Sequence, residues 1–306
     1  MANSEPGLDV GRLLLLREVA LRGTIASAAR SVGLTPSAVS QQLAALEREA
    51  GSALLDRSPR GVALTGAGHA LAERAASIVD VLAAARADLD RISGAVAGPV
   101  TVAAVASAAA TLVSGCAVSL RESQPGIDLT VMVAEPAASL RMLIADDADV
   151  AVVDEYDYVP LALPDYLVSR ELCAEDLVVV AAPGQLRGRG GVPLASLASA
   201  DWVMPPDDAA CGTAVRSACR AAGFEPRVRW DTDDMLLLVR AVAAGHGVSV
   251  LPRLAVADDI ADVVVRPLRR PTLRRRIRAV TRSSASARPV VASVLAALGT
   301  AAEAAG

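Results

Sequence analysis

From Ala67 to about Ser93 nothing in the chain ends a helix, and that run constrains the whole fold. Leu71, Ala75, Ile78, Leu82, Ala85, Leu89 and Ile92 recur in steps of four and three, an a/d seam held over three heptads. Glu73, Arg74, Asp80, Arg86, Asp88 and Arg91 lie elsewhere on the helix. Such a helix can lie along its own domain, but so narrow and regular a seam favours pairing with a second copy of itself. Leu71, Ile78, Leu82 and Leu89 are the candidate dimer contacts. "SGAVAGP" then provides a hinge. The run therefore acts as a linker, residues 67–97, between two unlike parts, 1–66 and 98–306.

The first part reads as short helices punctuated by glycine. Residues 8–22 place Leu13, Leu16, Val19 and Ala20 at helical spacing, and Gly23 ends the run. Thr24 can cap "IASAARSV", which stops at Gly33. Thr35 followed by Pro36 is an N-cap and a first-turn residue for a third helix running to about Glu49. Three short helices with tight turns form a helix-turn-helix pattern. "SPRG" between two short apolar runs then predicts a β-hairpin, a wing.

On a helical wheel Val39, Leu43 and Leu46 of the third helix face the core. Ser37, Gln41, Ala44 and Arg48 fall opposite, with Ser40 flanking. The leading exposed surface, from Thr35 and Pro36 through Ser37, Ser40, Gln41 and Ala44, is uncharged and rich in hydrogen-bonding groups. That chemistry suits the major groove of double-stranded DNA, where Gln pairs with adenine, Ser bonds either way and Ala meets a thymine methyl. Residues 1–94 hold ten Arg and ten acidic residues, so DNA contact must rest on local placement of charge. Arg57 and Arg60 at the wing, with the helix starts, are the candidate phosphate contacts.

From Pro99 the texture changes. Runs such as "VTVAAV", "DVAVVDE", "DLVVVAAP", "GVSVLP" and "IRAVTR" alternate with helical segments near 108–123, 137–145, 212–222, 233–244 and 288–303. This predicts α/β layers with largely parallel strands.

Aromatics are 2% of the 306 residues, so Ala, Val and Leu must fill the core. No apolar run reaches membrane length, and the N-terminus lacks the charged start and apolar stretch of a secretion signal; a cytoplasmic protein with no membrane partner is expected. Four cysteines without CxxC spacing and two histidines give no metal site. Nucleophile elbow, phosphate loop and dinucleotide fingerprint are all missing, so neither an enzyme nor a cofactor is expected.

The stretch "GTIASAARSVGLTPSAVSQQLAALEREAGSALLDRSPRGVALTGAG" resembles the winged helix-turn-helix of LysR-type transcriptional regulators. The phrase from Ser37 through Gln41 and Gln42 to Leu46 and Glu47, then "GSALLDR", then "ALTGAG", matches that family in order and spacing. Ile25 stands where an aromatic residue is usual, and "LLDR" replaces a Leu-Phe pair; both keep apolar character. The linker helix and the α/β remainder agree in layout. The resemblance implies a homodimer, often a homotetramer, on a DNA operator. It also implies a C-terminal region like a periplasmic binding protein, with two α/β subdomains at about 98–166 plus 266–303 and about 167–265. A small-molecule effector would bind between them.

In such a fold, ligands meet strand ends and helix starts. The candidates there are Ser107, Asp154, Glu155, Cys211, Thr213, Thr232, Asp233 and His246. Ser107 and Thr213 also fit plain capping, and the acids also fit solvated positions. Two other readings stand beside effector control. One is an effector-independent DNA-binding dimer. The other is a thiol redox sensor built on Cys211 and Cys219, which eight residues on one helix would hold about 12 Å apart, too far for a disulfide. "RPLRRPTLRRRIR", with seven Arg, is expected as an exposed loop and strand edge.

Overall fold

In a computed structural model of the chain the described residues are 7–58, 61–93, 96–164, 166–256 and 262–305. They form two compact units, 1–94 and 95–306.

In the first unit α1 (Val10–Arg22), α2 (Ile25–Ser31) and α3 (Pro36–Ala50) are each opened by a side chain accepting a backbone N–H. Asp9 accepts from Arg12, Thr24 from Ser27 and Thr35 from Ala38. Gly23 and Gly51 close α1 and α3 in the left-handed region, at φ 73° and 62°. Leu16, Val19, Ala28, Val39, Leu43 and Leu46 are buried together. Strands β1 (Leu55–Ser58) and β2 (Gly61–Leu64) pair antiparallel as the hairpin. Glu47 anchors it: its Oε1 accepts the N–H groups of Leu54 at 2.9 Å and Leu55 at 3.1 Å. Helix α4 (Gly66–Ser93) follows. A side chain at Gly68 would put a Cβ 2.1 Å from the Leu54 carbonyl oxygen, so glycine lets α4 start against the wing.

The second unit holds a sheet in the order β4-β3-β5-β12-β6-β11-β7, with β10 also on β6, and a separate pair β8-β9. The strands are β3 (Gly98–Ala104), β4 (Ile127–Val133), β5 (Val150–Tyr156), β6 (Leu167–Ala181), β7 (Val192–Pro193), β8 (Asp201–Met204), β9 (Arg227–Asp231), β10 (Ser249–Pro252), β11 (Val264–Arg269) and β12 (Arg274–Arg282). The helices are α5 (Ala106–Ala108), running through a π turn (Ala109–Val113) into α6 (Ser114–Ser123), then α7 (Pro136–Ile144), α8 (Ala210–Ala221), α9 (Met235–Ala243) and α10 (Pro289–Ala305). One core gathers Val102, Val152, Leu112, Val291 and Leu298. A second gathers Val179, Trp202, Val215, Cys219 and Val250.

Two expectations change here. The sheet is mixed rather than largely parallel. β3 pairs parallel with β4 and β5, but β12 pairs antiparallel with both β5 and β6, and β6 antiparallel with β10 and β11. β6 pairs with β12 from Leu167 to Asp176 and with β10 and β11 from Leu177 onward, so one long strand ties the two parts of the sheet together. Finally, the arginine-rich run does not end on a sheet edge. β12 is an interior strand, and its guanidinium groups meet acids on its neighbours: Arg274 with Asp176 at 3.5 Å and Arg278 with Glu155 at 3.1 Å.

Candidate functional site

In the first unit the start of α3 presents a small polar surface. Ser37 and Gln41 are exposed, Ser40 and Ala44 partly so. The Ser40 hydroxyl donates to the Pro36 carbonyl at 2.9 Å, and Thr35 holds the Ala38 N–H at 3.2 Å. Gln42 accepts from Arg12 Nε at 2.9 Å, whereas Gln41 has no hydrogen-bond partner among the described residues. Arg60 and the side chain of Arg57 lie outside the described residues, as does the side chain of Leu89. Leu71 and Ile78 pack partly buried on the unit's own core, while Val81 and Leu82 are exposed.

In the second unit a cleft of about 820 Å³ is lined on one side by Ser107, Thr111, Val133 and Glu135, and on the other by Asp233 and Leu236. The π turn lies in its wall, at a widening of the helix that recurs at functional sites. Behind Ser107 is Arg275, 1% exposed on β12. Arg275 donates from Nη1 to Ser107 Oγ at 2.7 Å and to Asp154 Oδ2 at 3.3 Å. Its Nε donates to Glu175 Oε1 at 2.8 Å, and Nη2 donates to the same oxygen. The Tyr156 hydroxyl donates to Asp154 Oδ2 at 2.8 Å. The other Glu175 oxygen accepts the Leu254 N–H at 2.8 Å, tying in a turn that lines the cleft. Burial alone would lower the pKa of Arg275; Tyr156, Glu175 and Asp154 reverse this and hold it above its ordinary value. Burial pushes the Tyr156 hydroxyl well up.

The expected effector residues separate accordingly. Ser107 and Asp233 line the cleft, and Asp154 lies in the network behind it. Cys211 is buried beside Tyr156 and close enough to Asp154 for that charge to act on its thiol. Glu155 points to the opposite side of β5, where it accepts from Arg278, because neighbours on a strand face opposite ways. The Thr213 hydroxyl donates to the Asp207 carbonyl at 2.6 Å and holds a loop. Thr232 accepts the Asp234 N–H at 3.2 Å. His246 is exposed and stacks on Trp230 with ring centroids 4.9 Å apart; it does not line the cleft. Arg275, Tyr156, Glu175 and Glu135 were missed. A signal existed for Arg275: at period two it shares a face with Ile277 and Ala279, both core residues.

Residues 10–69 match the family described as "Bacterial regulatory helix-turn-helix protein, lysR family", and residues 93–303 match "LysR substrate binding domain". The chain belongs to the LysR family. The regulator is 30% identical over 272 residues to the small neutral protease regulatory protein of Streptomyces coelicolor, covering 88% of this chain and 85% of that one. Its fold is like that of full-length CbnR solved with target DNA: TM-score 0.55, 22% identity, 96% of this chain and 99% of that one. It is also like an OxyR variant of Pseudomonas aeruginosa: TM-score 0.71, 18% identity, 95% of each chain. It is therefore a DNA-binding transcriptional regulator with an effector-binding domain.

The cysteines of the regulator do not resemble a redox pair. Cys211 and Cys219 are buried, and burial pushes both thiols up to about 12, which disfavours the thiolate form. Among the described residues no helix is long and apolar enough to cross a membrane.

Proposed function

We propose that the regulator binds its operator as a homodimer or a pair of dimers, in the cytoplasm and without catalysing a reaction, and that a small molecule in the 820 Å³ cleft sets its state. Thr35, Pro36, Ser37, Ser40, Gln41 and Ala44 face the bases, and Arg57 and Arg60 the phosphates. Leu82, exposed on α4, continues into the partner the seam that Leu71 and Ile78 begin on their own domain, with Leu89 further along.

One observation supports effector control most. Ser107 lines the cleft and also accepts from Arg275, and Arg275 is bonded to Glu175 of β6 and Asp154 of β5. A ligand bonding to the Ser107 hydroxyl therefore acts on the two strands, β6 and β12, that join the subdomains. A shift there changes their mutual angle, as hinge motions require. Footprinting on the protein's own upstream region, with and without metabolites that raise its melting temperature, tests the reading. An unchanged footprint with every stabilising metabolite would leave a DNA-binding dimer indifferent to ligands.

A further inference from the structure

We propose that the cleft takes an organic cation, an amine or guanidinium on an apolar body, and that it closes because this charge neutralises carboxylates on both walls. The inference rests on the reading of the cleft as the effector site. One wall supplies Glu135 and the opposite wall Asp233. Asp233 is exposed and has no partner among the described residues. Behind the first wall Asp154 is 7% exposed; its Oδ2 is held by Tyr156 and Arg275, while its Oδ1 is buried with no partner among the described residues. A buried carboxylate oxygen left unbonded is costly, and the Asp154 charge acts on Glu135 in the cleft.

The positive groups do not cancel this charge. Arg275 is enclosed and shared between two acids, Glu175 and Asp154, so the trio carries a net negative charge. Arg253 also lines the cleft, its Nη1 donating to the Val256 carbonyl at 2.8 Å; it keeps its charge but is outnumbered there by Glu135, Asp233 and Asp234. The carboxyl of Glu135 is raised above its ordinary value by burial first, then by Asp154, Asp233 and Asp208, so acids from both subdomains already act on one another.

One helix start beside the cleft already carries an anion of the protein itself. The Asp234 carboxylate accepts the Leu236 and Leu237 N–H groups at the start of α9, at 2.9 and 3.0 Å. At the start of α7, Pro136 has no N–H, and Glu135 stands at the cap position without bonding the turn, which leaves its carboxyl to the cleft. Among the described residues no three acids, histidines or cysteines come together closely enough to hold a metal ion, which favours a larger cation spanning the walls. Val133 and Leu236 at the mouth are exposed and apolar, suiting an apolar body.

The test uses the full chain and isothermal titration with phenethylamine and agmatine, against phenylacetate, succinate and magnesium chloride, repeated on Glu135→Gln and Asp233→Asn. Binding of a cationic probe, weakened about tenfold or more by each variant, supports the proposal. Binding of an anion, unweakened by the variants, overturns it but leaves an effector cleft standing. Magnesium binding that the variants abolish overturns it in favour of a metal ion. Silence from every probe overturns it and counts against the effector reading as well.

Discussion

On the leading face of α3 the hydroxyls of Thr35 and Ser40 are already engaged with the helix itself, while the Gln41 amide is exposed and unengaged. Base discrimination should therefore concentrate in Gln41. Gln41→Ala is expected to lose about 1–3 kcal/mol on the operator and little on random DNA, measured by titration at matched salt. Equal weakening on both would show that Gln41 does not read bases. In the second unit Arg275 is the counter-ion of two largely buried acids. Removing it leaves Asp154 and Glu175 as buried charges without a counter-ion. Arg275→Leu should cost about 3–5 kcal/mol in urea denaturation of the full chain. A loss under about 1 kcal/mol would mean that the network is solvated. The same residues show what sequence reasoning reaches. Ser107 and Asp154 could be placed near the cleft because strand ends and helix starts are local patterns. Arg275 was not, because a run of arginines looks solvated until its acidic neighbours, 100 and 121 positions away, are known.

At the scale of elements, α1 to α4 and the wing were legible nearly to the residue. Each is closed by chemistry within a few positions, as with Thr24, Thr35, Gly23 and Gly51. The sheet was less so. Alternation marks a strand but not its partner, so the antiparallel pairings of β6 and β12 could not be read. Nor could the change of partners along β6, which has no turn to announce it. Helix α4 divides along its length in a way the regular seam concealed. Leu71 and Ile78 serve the unit's own core, whereas Leu82 is 55% exposed. Leu82→Asp should therefore leave the first unit folded and convert dimer to monomer in sedimentation velocity, since a charge in a coiled-coil seam opposes pairing. Unchanged mass would place the dimer contacts elsewhere. An unfolded first unit would show that Leu82 acts within its own chain.

The whole molecule joins a DNA-reading unit of about a third of the chain to a larger unit that holds the cleft. They differ in what a ligand can stabilise. A molecule bound only to folded residues 95–306 at about a hundred times its dissociation constant adds roughly 2.7 kcal/mol to that unit. For a domain of this size each kcal/mol moves the midpoint by about 2–4 °C, giving a shift of roughly 5–10 °C. In calorimetry of the full chain, the transition of the second unit should rise by that amount. That of the first should stay in place on free protein and rise only when operator DNA is added. If a cleft ligand raised both transitions together without DNA, the two units would unfold as one. Control of DNA binding would then run through shared stability and not through the angle between the subdomains that β6 and β12 join.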